Sequence, residues 1–225
     1  MRIISTPPNT PLPPKGMIVP DWRERFLRSL AFPCIMLRTL SWSTEFIEIL
    51  VILASLNPTG PVSNILLKTL VSGDGACVNS LHITPLFLVG NLITISATVL
   101  RVLCYRALGT YFTFELRIQE PYHKLITHGP YSVVRHPSYT AMILSIMGAL
   151  LSHIQPGSWI MQCSGFTQST TGRVLAGFWV LTACAVILSL FLRLEREDAM
   201  MKGAFGKSWD RWSSQVRWCL IPGVY

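Results

Sequence analysis

From Val174 to Leu192 the chain runs for nineteen residues without a charged side chain, and the run is bracketed by Arg173 and Arg193. At about 1.5 Å of rise per residue, a helix of that length nearly crosses the ~30 Å hydrocarbon layer of a bilayer. Lipid offers no partner for an unpaired backbone amide, so such a run folds as a helix. A second region without Asp, Glu, Lys or Arg lies between Arg135 and Arg173, and a third apolar run covers Leu81 to Leu103, uncharged up to Arg101. Composition agrees: half the residues are hydrophobic and 13% are charged, where a soluble domain carries about a quarter charged residues. Mean hydropathy is +0.44. The expected fold class is all-α, a multi-spanning transmembrane helical protein.

Three parts follow from the residue pattern. Residues 1–20 form a proline-rich arm, with Pro7, Pro8, Pro11, Pro13, Pro14 and Pro20 favouring an extended, polyproline-like chain. No apolar segment of signal-peptide type follows Arg2. Residues 21–80 hold N-terminal membrane helices and a lumenal loop. There, Phe26 to Leu40 and Thr44 to Leu56 read as two helical pieces parted near Ser41, either one bent span or an interfacial helix plus a short span. After Asn57-Pro58-Thr59-Gly60-Pro61 a loop rich in Ser and Gly is predicted to reach about Ser80. Residues 81–225 form the core: a span over Leu81 to Leu103, a shorter one from Pro137 to about His153, a turn at Gln155-Pro156-Gly157, and the span Val174 to Leu192. Beyond it Phe205, Trp209, Trp212 and Val216 share a helical face, which reads either as an amphipathic helix in the interface with tryptophans at headgroup depth or as a helix whose aromatics pack on the bundle.

The net charge of +8 is spread over segment ends rather than gathered on one face, which excludes nucleic acid as the expected partner and points to membrane lipid. Short-loop charge sets the orientation. Arg101, Arg106, Arg117, Lys124 and Arg135 lie on one side with the basic C-terminal tail, whereas residues 154–172 carry no Lys or Arg, so the former are cytosolic and the latter lumenal. Arg23, Arg25 and Arg28 agree with a cytosolic N-terminus. The six cysteines include no C-x-x-C pair and no histidine at ligand spacing, so no metal is expected. Cys77 and Cys163 share the lumenal side, where a disulfide could form, but the sequence gives no reason to expect one.

Two polar clusters stand out at the cytosolic edge. His128-Gly129-Pro130-Tyr131-Ser132-Val133-Val134-Arg135-His136-Pro137-Ser138-Tyr139-Thr140 immediately precedes a span, and Arg193-Leu194-Glu195-Arg196-Glu197-Asp198 closes another. Brought together they would make an active site. Each also has a plain structural reading. His136-Pro137 is a good helix start, and Arg193 with Glu197 is an i, i+4 ion pair worth only a few tenths of a kcal/mol. Charges at membrane depth, however, are functional candidates by default.

Leu125-Ile126-Thr127-His128-Gly129-Pro130-Tyr131, Arg135-His136-Pro137-Ser138-Tyr139 and the R-x-x-x-E-[ED] pattern of Arg193, Glu197 and Asp198 together resemble the isoprenylcysteine carboxyl methyltransferase family, within the wider group of membrane phospholipid and isoprenylcysteine methyltransferases. Phe205-Gly206 follows at the family's spacing, and the resemblance covers roughly Arg101 to Val224. Asp198 stands where a second Glu is usual, Thr140-Ala141 replaces a common glycine, and Trp209 and Trp212 stand where tyrosines are usual.

The resemblance implies a protein-S-isoprenylcysteine O-methyltransferase of the endoplasmic reticulum membrane, multi-pass with a cytosolic active site. It implies S-adenosylmethionine as cofactor, in a cytosolic pocket formed by a loop-helix segment and the C-terminal helix. The implied cofactor contacts are His123, Lys124, Leu125, Ile126, Tyr131, His136, Pro137, Ser138, Tyr139 and Glu197. Arg193 is the implied catalytic and substrate-binding residue, its planar fork clamping the C-terminal carboxylate of a prenylated cysteine. Such a carboxylate is ionised at neutral pH and needs no general base. Asp198, about 100° further round the helix than Glu197, is expected to tolerate amide substitution better.

Two other readings share these features. A phospholipid N-methyltransferase uses the same cofactor on an amine, which must lose a proton, so an acidic group rather than Arg193 would be central. An NADPH-dependent sterol reductase carries a similar Arg-His-x-x-Tyr block, but with Asn before the tyrosine, where Ser138 stands here, and without the Arg193 to Asp198 pattern.

Overall fold

The computed structural model describes residues 31–73, 75–111 and 124–225, and among them every regular element is helical. The proline-rich arm, Arg23, Arg25, Arg28, Arg117 and His123 lie outside the described residues. The elements are α1 (Ala31–Leu56), α2 (Pro61–Leu70), α3 (Pro85–Leu108), α4 (Pro137–His153), the single turn α5 (Trp159–Gln162), α6 (Thr170–Phe205) and α7 (Lys207–Gln215). Three stretches are long and apolar enough to cross a membrane: Arg38–Leu56, Pro85–Tyr111 and Thr170–Phe205. The protein is therefore an all-α protein with several candidate spans, as the sequence predicts.

Three local expectations change. The break near Ser41 is absent, because α1 runs straight through it. The hydroxyls that could have interrupted the helix fold back onto its own carbonyls instead: Ser43 donates to Thr39 and Thr44 to Ser41, each at 2.8 Å. The predicted Ser/Gly loop contains α2, started by Pro61 at a position where its missing N–H costs nothing, and a 3-10 turn over Ala76–Ser80. Finally, α6 has 36 residues, about 54 Å at helical rise. It therefore outruns the hydrocarbon layer, and its last turns can carry charge.

The chain divides into two compact units. One, the disulfide unit, comprises Pro33–Thr94 and Ile146–Ala183. Its core holds Val51, Val71 and Cys163, with Leu67, Leu70 and Trp159 against them. Cys77 and Cys163 are joined in a disulfide with Cα atoms 5.5 Å apart, across 86 residues of chain. Spacing had given no reason to expect this pairing. What brings the sulfurs together is tertiary: Ser72 N donates to Cys163 O at 2.7 Å, and the Trp159 indole donates to Leu70 O at 2.8 Å. Buried Gln155 accepts from the Thr84 hydroxyl at 2.9 Å and from Gly157 N at 2.7 Å. Glycines on α3 and α4 let two backbones meet. A Cβ on Gly148 would lie 2.6 Å from Gly90 O and 2.9 Å from Thr94 N, and one on Gly90 would lie 2.8 Å from Gly148 O. This is the small-residue contact by which membrane helices approach closely.

The other, the site unit, includes Ile95–Ser145 and Cys184–Tyr225. At its end, Gly206 adopts φ 47°, a backbone that disfavours a Cβ, and turns the chain from α6 into α7. The turn directs the tryptophans inward rather than to headgroup depth. Trp209 and Trp212 are buried in a cluster with Cys104, Tyr131 and Val216, their rings edge to face at 4.8 Å. Edge-to-face pairing and large apolar area favour this packing over an exposed interface. The charged Lys207, Asp210 and Arg211 stay exposed.

Candidate active site

Pro137 opens α4, so the residues just before it lie outside the helix and are free to pair elsewhere. They pair with the C-terminal tail: Arg135 N donates to Trp218 O and His136 N to Cys219 O, both at 2.9 Å, and the Thr140 hydroxyl donates to Leu220 O at 2.7 Å. From α3, Arg101 anchors the next residue. It is 2% exposed, its Nη1 donates to Ser138 O at 2.8 Å and also to the Ser138 hydroxyl, and its Nε donates to Tyr105 Oη at 3.0 Å. The Ser138 side chain is thereby committed to Arg101.

The last turns of α6 bring the second cluster to the first. Asp198 Oδ2 accepts from Arg135 Nη1 at 2.5 Å, and Asp198 Oδ1 lies 2.8 Å from His136 Nε2. Glu197 accepts from the Tyr139 hydroxyl, lies 3.7 Å from His136 Nδ1 and 3.8 Å from Arg193 Nε. The His136 and Tyr139 rings stack, nearly parallel, with centroids 5.5 Å apart. The Arg193 guanidinium carbon sits 6.0 Å from the Tyr139 ring centre, at the outer limit of a cation–π contact.

These contacts decide the charge of His136. Burial alone pushes its pKa down, but the hydrogen bonds and charges of Asp198 and Glu197 outweigh burial and raise it to about 9. The imidazole is then a cation at neutral pH, held between two carboxylates. Among the described residues of this cluster, Arg101, Arg135, His136 and Arg193 are positive and Glu197 and Asp198 negative. The excess of positive charge suits an anion.

Of the residues picked from the sequence, His136, Pro137, Ser138, Tyr139, Arg193 and Glu197 come together here. His136 is only 5% exposed and both its nitrogens face carboxylates. Leu125, Ile126 and Tyr131 pack with Trp209 and Trp212; burial raises the Tyr131 phenol, which also feels the charges of Glu197 and Arg101, while Lys124 is exposed. The sequence assigns Arg101 and Arg135 no role in the site and expects Asp198 to matter less than Glu197. For Arg101 the one available signal was a cation inside an apolar run, which demands a buried partner.

Fold and site together define a polytopic α-helical membrane protein with a charged cluster closing a long membrane helix. The isoprenylcysteine carboxyl methyltransferase family matches residues 89–163. A probable protein-S-isoprenylcysteine O-methyltransferase from Oryza sativa subsp. japonica, and its counterpart in subsp. indica, are each 27% identical over 129 residues, 57% of this chain and 57% of theirs. A delta(14)-sterol reductase of Ascobolus immersus is 29% identical over 102 residues, 45% of this chain and 19% of the reductase. The chain thus spans a little over half the length of the rice relatives. Over residues 89–163 the chain is thus similar to the isoprenylcysteine carboxyl methyltransferase family. The matched segment contains the His128 to Tyr139 block and stops before Arg193.

Proposed function

We propose that this protein uses S-adenosylmethionine to methylate the C-terminal carboxylate of prenylated cysteine, at a cytosolic site in the endoplasmic reticulum membrane. The observation that carries the reading is the Arg193 guanidinium set beside Tyr139 and Glu197 where the uncharged run of α6 ends. A farnesyl or geranylgeranyl chain would reach the site from the bilayer, with its carboxylate meeting a fixed planar cation at the surface.

The residues fit the cofactor. Glu197 and Tyr139 offer a carboxylate and an aromatic face suited to the ammonium and sulfonium groups. The Trp212 indole N–H is buried and finds no acceptor among the described residues, in the cluster that holds Leu125, Ile126 and Tyr131. A buried donor left unpaired costs about 1–3 kcal/mol, so an acceptor on a bound ligand would be favoured there. When bound, the cofactor supplies an electrophilic methyl group. Arg193 would hold both oxygens of the acceptor carboxylate and set one of them in line with that group. No side chain need remove a proton, because the acceptor is already an anion. The apolar surroundings would exclude water that competes for the methyl group.

The membrane assignment draws on short-loop charge and on the Cys77–Cys163 disulfide, which calls for an oxidising compartment such as the lumen of this organelle. The Ascobolus relative raises a second reading, sterol reduction. Ser138 before the tyrosine and the Arg193 to Asp198 cluster count against it. Membranes expressing the full chain separate the readings. Radiolabel from S-adenosylmethionine should enter N-acetyl-farnesylcysteine. Label entering phosphatidylethanolamine instead would favour amine methylation, and NADPH-dependent loss of a Δ14 sterol would favour reduction.

A further inference from the structure

We infer that Asp198 is a positioning residue of this site: with Arg135 it fixes His136 as a cation, and His136 in turn fixes the carboxylate of Glu197. As a claim about cofactor binding, the inference rests on the methyltransferase reading; as a claim about His136 it starts from the contacts of its two ring nitrogens.

Both oxygens of Asp198 are used, one by Arg135 Nη1 at 2.5 Å and the other by His136 Nε2 at 2.8 Å. Arg135 is tied down independently, its Nη2 reaching Cys219 Sγ at 2.7 Å and Arg217 O at 3.4 Å. Asp198 is therefore a junction between α6, the loop before α4 and the C-terminal tail. The second nitrogen of the same imidazole faces Glu197 at 3.7 Å. A ring gripped at Nε2 presents Nδ1 in one direction only, so the bond to Asp198 sets where Glu197 finds its cation.

An aspartate suits this geometry. The shorter side chain keeps its carboxylate near α6, and Arg135, with its long stem, reaches across to it. The sequence reading set Asp198 aside because it points round the helix from Glu197. The contacts make it the better paired of the two carboxylates.

The charged and titratable groups facing His136 are Asp198 and Glu197 from α6, Tyr139 from α4 and Arg135 from the preceding loop. Arg193 lies beyond Glu197, and Cys219 beyond Arg135. Burial works against the imidazolium and the two carboxylates support it. Removing the charge of Asp198 leaves burial opposed by Glu197 alone, so the proton should come off at lower pH.

The test uses the full chain in nanodiscs, as wild type, Asp198→Asn and Asp198→Glu. Histidine-labelled protein is followed by NMR, with His136 assigned by its loss in a His136→Gln sample. In wild type the His136 signal should stay protonated to about pH 8, and in Asp198→Asn its midpoint should fall by one pH unit or more. An unchanged midpoint overturns the inference. S-adenosylmethionine affinity is then measured by titration calorimetry at about pH 6 and about pH 8. Wild type should bind alike at both, whereas Asp198→Asn should bind at least about twofold more weakly at the higher pH, because a midpoint at or below about 8 leaves half or more of the imidazole neutral there. Asp198→Glu, which keeps the charge, should restore much of the loss. Equal weakening of Asp198→Asn at both values would mark a merely structural residue and overturn the positioning role. Wild type that binds no S-adenosylmethionine would instead overturn the methyltransferase reading, with the NMR result still deciding the role of Asp198.

Discussion

The two units of this protein solve the same problem with different chemistry. The disulfide unit satisfies its buried polar groups mainly with neutral hydrogen bonds, such as Thr84 to Gln155, and adds close glycine packing and one covalent bond. The site unit instead gathers charge: Arg101, Arg135, His136, Arg193, Glu197 and Asp198 lie within a few side chains of one another. Buried charge is costly and is a poor way to gain stability. In the disulfide unit the half-buried Glu48 accepts from Trp159 N, whereas the site unit gathers several such charges around one histidine.

The contrast breaks most visibly if changes in the disulfide unit leave folding intact. Gly148→Val places a branched side chain where even a Cβ would meet Gly90 O at 2.6 Å and Thr94 N at 2.9 Å. We expect a loss of about 3 kcal/mol or more, read as a collapse in monodisperse yield and thermal midpoint. Next in size is Cys163→Ser. Opening a bridge that closes 86 residues of chain should cost about 2–4 kcal/mol. It should lower the thermal midpoint under non-reducing conditions only, since wild type treated with reductant should come to match the variant. A variant as stable as oxidised wild type would remove the covalent half of the comparison.

Changes in the site unit should act on ligand more than on fold. Glu197→Gln should weaken S-adenosylmethionine binding by roughly 1–3 kcal/mol, the cost of a charge-assisted hydrogen bond, with the thermal midpoint nearly unchanged. Unaltered affinity in titration calorimetry would leave Glu197 as a structural partner of Arg193 and Tyr139. The smallest effect is expected at Trp212, whose indole N–H has no acceptor among the described residues. Trp212→Phe keeps the packing and removes the donor, so stability should hold or rise slightly while cofactor affinity falls by about 1 kcal/mol. Equal affinity would show that the indole meets no ligand.

The units also differ in how far they could be read in advance. The spans over Leu81 to Leu103 and Val174 to Leu192 were plain, because an uncharged run of membrane length has one way to satisfy its backbone, and α4 begins at Pro137 as its sequence predicts, whereas the region before Leu81 left one span or two pieces open. The site was half legible. Arg193, Glu197, His136 and Tyr139 come in short motifs whose residue types announce chemistry. The pairing of Arg135 with Asp198 spans 63 positions and leaves no local mark. The burial of Trp209 and Trp212 was hidden for another reason: a face of aromatics at helical spacing looks the same whether it meets lipid headgroups or protein, and the turn at Gly206 decides which. In the disulfide unit, neither the Cys77–Cys163 bond nor the meeting of Gly90 with Gly148 has a periodicity to betray it. Both depend on which helices become neighbours.

The central claim is that the site unit places Arg193 on the substrate carboxylate, apart from the cofactor. It is tested most directly by methyl transfer to N-acetyl-farnesylcysteine in the Arg193→Lys variant, measured beside its affinity for S-adenosylmethionine. Lysine keeps the charge and loses the bidentate fork. The account predicts a fall in transfer of about 100-fold with cofactor affinity held within a few fold. Transfer and affinity falling together, or transfer left intact, would contradict it.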